Sequence, residues 1–341
     1  MNHDAKQLVG DQPQNARSVP ARIIPVPQTV SKELQRSIAL PLPDVYRMEP
    51  ETRDEWKNVI DALTAVWAEP LPKLRELLRV RTVPQTAGGV NIFVSTPEEI
   101  APTNRNRLLV HLHAGAYIGL EGESGTGEAI LMSHYGKIMV VSVDYRVAPN
   151  HPFPAALEDA VAAWADIVKT YGPANTGLFG SSAGGGLTLA TVFRLKKLGL
   201  PLPGAIAVGS ATADLTKTGD TQFTNEYIDN VLVSYDVFWS ACNRLYARDH
   251  DLKDPLLSPV YGDFHKFPPT ILVSGTRDLF LSDTVRTHRK LRDAGIEADL
   301  HVFEGQSHCQ YLVSQSPSSE AEQVYGEMAR FFDRRLGKLS K

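Results

Sequence analysis

Residues 178–186 read LFGSSAGGG, and the setting of this run decides how the rest of the chain is read. It follows a short apolar strand, Thr176–Phe179, and opens an alanine-rich helical stretch, Ala183–Leu198. In a strand–turn–helix setting, Gly-x-Ser-x-Gly puts a serine on a sharp elbow. Gly180 and Gly184 let the chain turn and its neighbours approach without a Cβ collision. The oxygen of Ser182 then projects at a helix N-terminus, where the backbone dipole favours developing negative charge. The plainer reading is that Ser182 only caps the helix, a role that suits serine. Ser181 lies beside it, but only Ser182 has glycines two residues to either side.

Short apolar runs of buried-strand type flank the elbow: Leu108–Leu112, Ile138–Val143, Ala205–Val208, Ile271–Val273 and Leu300–Phe303. Helical patterns lie among them at Ala156–Val168, Ser282–Ala294 and Ala321–Leu336. Leu78–Val83 and Val90–Val94 read as an antiparallel pair joined by a Gly-Gly turn. Alternating strand and helix predicts an α/β fold, a mostly parallel sheet of about eight strands with helices on both faces. Residues 1–28 are polar and proline-dotted and read as an extended or flexible arm. Residues 29–77 turn helical; Trp56, Val59, Ile60, Leu63, Val66 and Trp67 have the spacing of an amphipathic helix. The stretch between Val208 and Thr270 is far too long for a plain loop. Residues 211–255 therefore read as an inserted cap that packs with helices 29–77 over the catalytic body, residues 78–210 and 256–341.

Three further pieces complete a reaction site. LLVHLHAGAYIG, residues 108–119, ends a strand in small residues, so its backbone can approach a reacting oxygen. The amides of Gly115 and Ala116, with that of Ala183 after the serine, form a candidate oxyanion hole. An ordinary strand–helix turn is the plain alternative. His113 is expected to brace this loop and to take no part in proton transfer. On such an elbow the acid and then the base come from farther along the chain. Of ten histidines, His288, His301 and His308 lie late enough; only His308 falls in a loop, EGQSH, after the last strand. Asp278, just past the strand ILVSG, is the expected acid, and its rival Asp283 reads as the cap of the next helix. Tyr117, Phe223, Tyr227, Phe238 and Trp239 are candidate pocket residues, although such aromatics more often serve packing.

Composition narrows the classes. The chain has 341 residues, 43% hydrophobic and 22% charged, with a formal net charge of −4. That offers no electrostatic footprint for nucleic acid. Its two cysteines, Cys242 and Cys309, lack the count and spacing of a disulfide framework or zinc site and read as free thiols. No secretory signal or run of about 18 apolar residues stands in the sequence, which predicts a cytoplasmic protein without a membrane partner.

With HAGA at 113–116, VDYRVAPNHPFPAALEDA at 143–160, GSSAGG at 180–185, GTRDLFLSD at 275–283 and GQSH at 305–308, the chain resembles the hormone-sensitive-lipase-like branch of the α/β-hydrolases, especially its bacterial carboxylesterases. The resemblance runs from about Leu108 to Leu312. It implies an α/β-hydrolase fold with a helical cap and a serine carboxylesterase acting on small esters of short or medium acyl chain, with no metal or cofactor. A lactone hydrolase would use the same residues, and a receptor that had lost its chemistry would lack one of them. The resemblance also implies a homodimer paired along a sheet edge. Arg146, Pro149, Pro154 and Asp159 look structural within it. Two departures stand out. Ala114 and Ala116 replace glycines of the family's H-G-G-G, so the loop must adopt φ values alanine tolerates. Ser181 replaces the aspartate that commonly precedes the nucleophile, which removes a charge near the elbow.

Overall fold

The computed structural model describes residues 16–313 and 316–337. Most of the expected arm, residues 1–15, lies outside them; residues 16–28 run without helix or strand and are largely exposed. The chain then forms α1 (Lys32–Ala39), α2 (Arg53–Ala68), α3 (Leu71–Leu78), β1 (Val80–Ala87) and β2 (Val90–Pro97). Next come β3 (Leu108–Leu112), α4 (Gly127–Gly136), β4 (Val140–Val143), α5 (Ala155–Tyr171), β5 (Thr176–Ser181), α6 (Ala183–Leu198) and β6 (Ala205–Gly209). Residues 210–269 hold only two α-helices, α7 (Thr221–Thr224) and α8 (Phe238–Ala247). The chain closes with β7 (Thr270–Gly275), α9 (Leu281–Asp293), β8 (Ala298–Phe303), α10 (Gln310–Val313) and α11 (Ser319–Arg335).

The eight strands form one sheet in the order β1-β2-β4-β3-β5-β6-β7-β8. β1 pairs with β2 and β2 with β4 antiparallel; every later pairing is parallel. The central strands bury alternate residues on opposite faces. Val110, Leu178, Ile206 and Leu272 join one core with α5 and α6, while Leu109, Phe179, Ala207 and Ile271 join the other with α3, α4 and α11. Both faces are covered, which is why these strands read as continuous apolar runs and not as alternations. α4 escaped the sequence reading for a related reason. Its residues Gly127–Ser133 are all buried, so it has no polar face and no amphipathic period to detect.

Close packing at the elbow depends on Gly184. A Cβ there would stand 1.9 Å from the Leu112 carbonyl oxygen. That contact is backbone against backbone, with no side chain to give way. It sets β3 directly beside the start of α6, so the loop leaving β3 and the serine leaving β5 emerge side by side. Open parallel sheets carry their ligand sites at this end, beyond the carboxyl ends of the strands.

Candidate active site

Ser182 sits between β5 and α6 with φ 56° and ψ −124°, a sparsely populated conformation that costs about 1–3 kcal/mol and persists only where neighbours impose it. Its N–H donates to Gly209 O at 2.8 Å, and its carbonyl accepts from Thr212 N at 3.0 Å and Gly186 N at 3.1 Å. The hydroxyl does not cap α6, so the plainer reading of this serine fails. Instead Ser182 Oγ stands 2.8 Å from His308 Nε2. His308 Nδ1 lies 3.2 Å from Asp278 Oδ1. Asp278 is itself held: Oδ1 accepts from Phe280 N at 2.8 Å and Oδ2 from the Ser274 hydroxyl at 2.7 Å. Serine, imidazole and carboxylate form one hydrogen-bonded row beyond the ends of β5, β8 and β7. His288 lies in α9 against Ala298 O, and His301 lies in β8 beside Phe303.

Burial pushes the Asp278 carboxyl up, but His308, Ser274 and the Phe280 amide outweigh it and hold the carboxyl below its ordinary range. Burial likewise disfavours a charged His308. The adjoining Cys309 sulfur and the Asp278 carboxylate outweigh that penalty and raise the ring above the usual histidine value. An ionised acceptor at Nδ1 leaves Nε2 as the ring's reactive nitrogen, facing the serine.

The loop after β3 is built for backbone exposure. Gly115 has φ +112°, where a Cβ would also stand 2.6 Å from Gly119 O. Ala116 has φ 54°, a left-handed conformation that costs an L-residue about 1–2 kcal/mol. Ala114 is outside the positive-φ set, so only one of the two alanines meets the demand expected from the sequence. The amides of Gly115, Ala116 and Ala183 find no acceptor among the described residues. His113 is buried, stacks on Tyr145 at 3.9 Å, and has its Nδ1 2.6 Å from Ala114 O. Burial lowers it to about 3, so it stays neutral and shapes the loop. Tyr145 donates to His113 O at 2.6 Å, and Arg146 grips Asp159 through Nε and Nη2 at 2.8 Å each. The segment 145–159, with cis Ala148–Pro149 and Phe153–Pro154 peptides, thus shores up the loop.

Four expected pocket residues do not reach the cavity beside Ser182. Tyr117 is buried and stacks on Tyr246 at 4.0 Å; Phe238 is buried and stacks on Trp56 at 5.9 Å. Phe223 is 56% and Tyr227 59% exposed, the first under the Lys217 ammonium and the second edge-on to Tyr46. They serve packing or face solvent. Trp239 does line the cavity, with Leu63, Trp67, Leu232, Phe280 and Leu312. The empty space beside Ser182, counted out to open solvent at its mouth, is about 830 Å³. Asp283 also departs from expectation. It lies inside α9, fully buried, and accepts from Asp214 N at 3.0 Å, so it anchors the segment after β6 and caps nothing.

Two carboxylates near the row went unread. Glu128, on the helix the sequence hid, accepts from Ser181 Oγ at 2.5 Å and lies 3.1 Å from His111 Nε2, while Ser181 also meets the Tyr311 hydroxyl at 2.7 Å. A carboxylate therefore does stand beneath the elbow, supplied by a different element. Asp229, in the stretch between β6 and β7, is the second. One oxygen accepts from Val231 N and Leu232 N at 2.8 and 3.0 Å, the other from Leu279 N and His308 N at 2.9 and 3.2 Å. It ties the loop of Asp278 to the loop of His308. Burial and Asp278 push its carboxyl up to about 6. Asparagine has a single carbonyl oxygen and can serve only one of the two amide pairs. Asp229→Asn should lower kcat about 100-fold through misplacement of His308, with KM little changed and the acid limb of the pH profile moved lower as a negative charge near His308 disappears. An unmoved limb with normal kcat would remove Asp229 from the site's support.

Cys242 and Cys309 are separate, buried free thiols. No helix among the described residues is long and apolar enough to cross a membrane. A family profile described as alpha/beta hydrolase fold matches residues 109–312. The crystal structure of an esterase, E25, is 40% identical and superposes with a TM-score of 0.91 over 95% of this chain and 100% of that one. An esterase from the bacterial hormone-sensitive lipase family is 25% identical, with a TM-score of 0.75 over 90% of this chain and 99% of its own. An esterase of Acinetobacter venetianus is 28% identical over 239 residues, 69% of this chain and 77% of that protein. Fold, elbow and family match agree, and the chain belongs to the α/β-hydrolase fold family, among relatives of its hormone-sensitive-lipase branch.

Proposed function

We propose that the protein is a serine carboxylesterase in which Ser182, His308 and Asp278 act as the catalytic triad. The hydrogen-bonded row from Ser182 Oγ through His308 to Asp278, opening on an apolar cavity, carries this reading. His308 Nε2 takes the proton of Ser182 as Oγ adds to the ester carbonyl, and Asp278 stabilises the imidazolium without taking the proton. The carbonyl's π electrons move to its oxygen, which is held by the amides of Gly115, Ala116 and Ala183. Each such donor is worth about 3 kcal/mol in the transition state. Collapse of this intermediate expels the alcohol, protonated by His308, and leaves an acyl-serine. Water, deprotonated by the same nitrogen, then adds to the acyl carbon, and the acid leaves as the bond to Ser182 Oγ breaks and His308 returns the proton to that oxygen. No step needs a metal or cofactor.

The cap of the cavity is assigned to residues 29–77 and 211–255; Leu63 and Trp67 of α2 and Trp239 of α8 form its reach toward Ser182. Their bulk suits short or medium acyl chains. Purified protein should hydrolyse p-nitrophenyl acetate and be labelled by a fluorophosphonate at Ser182, located by peptide mass spectrometry. Labelling elsewhere would move the nucleophile off Ser182, and no labelling alongside absent hydrolysis would favour a non-catalytic receptor.

A further inference from the structure

The cavity wall is mostly apolar, but Asn243 breaks it. Asn243 lies in α8 one turn after Trp239, and both line the cavity, as i and i+4 residues of one helix face do. The orientation of its amide follows from its neighbours. The Tyr235 hydroxyl donates its single proton to Leu215 O at 2.5 Å. The same oxygen, 2.9 Å from the amide of Asn243, can then only accept. Asn243 Nδ2 must therefore face Tyr235. Oδ1 finds no donor among the described residues, yet it is absent from the polar atoms sealed away without a partner. It is left to the cavity. Thr212, whose N–H donates to Ser182 O, is a second polar residue on the wall.

We propose that Asn243 Oδ1 is a specificity-determining acceptor for substrates bearing a hydroxyl or N–H group on the chain that enters the cavity, so that hydroxy-substituted esters are preferred over plain ones. An unsubstituted chain leaves this acceptor unpaired or displaces its water, and either loses a hydrogen bond. A hydroxylated chain supplies the missing donor. Tyr235, fixed by Leu215, keeps the amide from turning its N–H groups inward. The site thus reads a donor, not merely bulk.

This inference rests on the esterase reading, and its test separates the two. Rates are followed by pH-stat on ethyl butyrate and ethyl hexanoate against ethyl 3-hydroxybutyrate, ethyl 3-hydroxyhexanoate and ethyl 6-hydroxyhexanoate, with wild type and Asn243→Leu. In wild type at least one hydroxy ester should exceed its plain counterpart in kcat/KM by roughly tenfold, the scale of one neutral hydrogen bond. Asn243→Leu should abolish or reverse that ratio while plain esters remain substrates. The wild-type ratio does not depend on whether the variant folds. Hydrolysis of plain esters with no hydroxy preference at any chain position would overturn the role of Asn243 and leave the esterase standing. A preference that survives Asn243→Leu in folded protein would overturn it equally.

Discussion

Ser182→Ala is expected to lower kcat for p-nitrophenyl acetate by about six orders of magnitude, because a triad acting as a unit loses nearly everything with its nucleophile. At about 1.4 kcal/mol per decade this is roughly 8 kcal/mol of transition-state stabilisation. The residual rate would come from the free amides of Gly115, Ala116 and Ala183 acting on bound ester. Ser181 cannot take over. Its hydroxyl is buried and engaged by Glu128 and Tyr311 on the opposite side of the strand from the cavity's serine. Stability should stay level, since the strained backbone at residue 182 is kept in the variant. Alanine at φ 56° is not relieved of that strain, so thermal unfolding near the wild-type midpoint is the check that the variant is folded. Near-normal turnover in a folded Ser182→Ala protein would sink the assignment.

How much of this was legible beforehand depended on whether a residue's role is local. The elbow glycines, the strand at Leu108–Leu112 and the helix at Ala183–Leu198 announce themselves because their constraints lie within a few residues. His308 and Asp278 could be picked out because strand ends are where side chains from distant segments meet. The pocket aromatics could not. Phe238 and Trp239 are adjacent on α8, yet only Trp239 faces the cavity while Phe238 stacks on Trp56 of α2. Which way that helix is turned is set by a partner some 180 residues away in sequence, on the order of a tertiary choice that periodicity does not encode.

Buried polar partners were the least legible. Glu128 looks like an ordinary charged residue until α4 packs it against the strands carrying His111 and Ser181. Asp229 sits in a stretch with little regular structure, and its meaning lies in four backbone amides from three chain segments. Backbone donors leave no trace in residue identity. The two carboxylates differ in consequence: Glu128 holds the elbow from beneath, and Asp229 holds the Asp278 and His308 loops together.

Asp278→Asn should lower kcat by about three orders of magnitude, and the local hydrogen bonds say why the loss is not larger. In the wild type one carboxylate oxygen takes Phe280 N and His308 Nδ1, and the other takes the Ser274 hydroxyl. A backbone N–H can only donate, whereas a hydroxyl can reverse. The asparagine will therefore set its carbonyl toward Phe280 and His308 and its amide nitrogen toward Ser274. The imidazole keeps its Nδ1–H tautomer, and a variant that instead forced the wrong tautomer would lose about 10⁴. What disappears is the negative charge that favours the imidazolium. Burial at His308 is then less opposed, so its pKa falls. Activity needs the neutral ring; wild type should lose activity as pH drops through a value above the usual histidine one, and in Asp278→Asn that limb should move to lower pH. A pH profile of kcat/KM for both proteins measures this directly. A variant within tenfold of wild type, with its acid limb in place, would mean that some other carboxylate charges the ring, and Asp229, bonded to the His308 amide, would be the one to remove next.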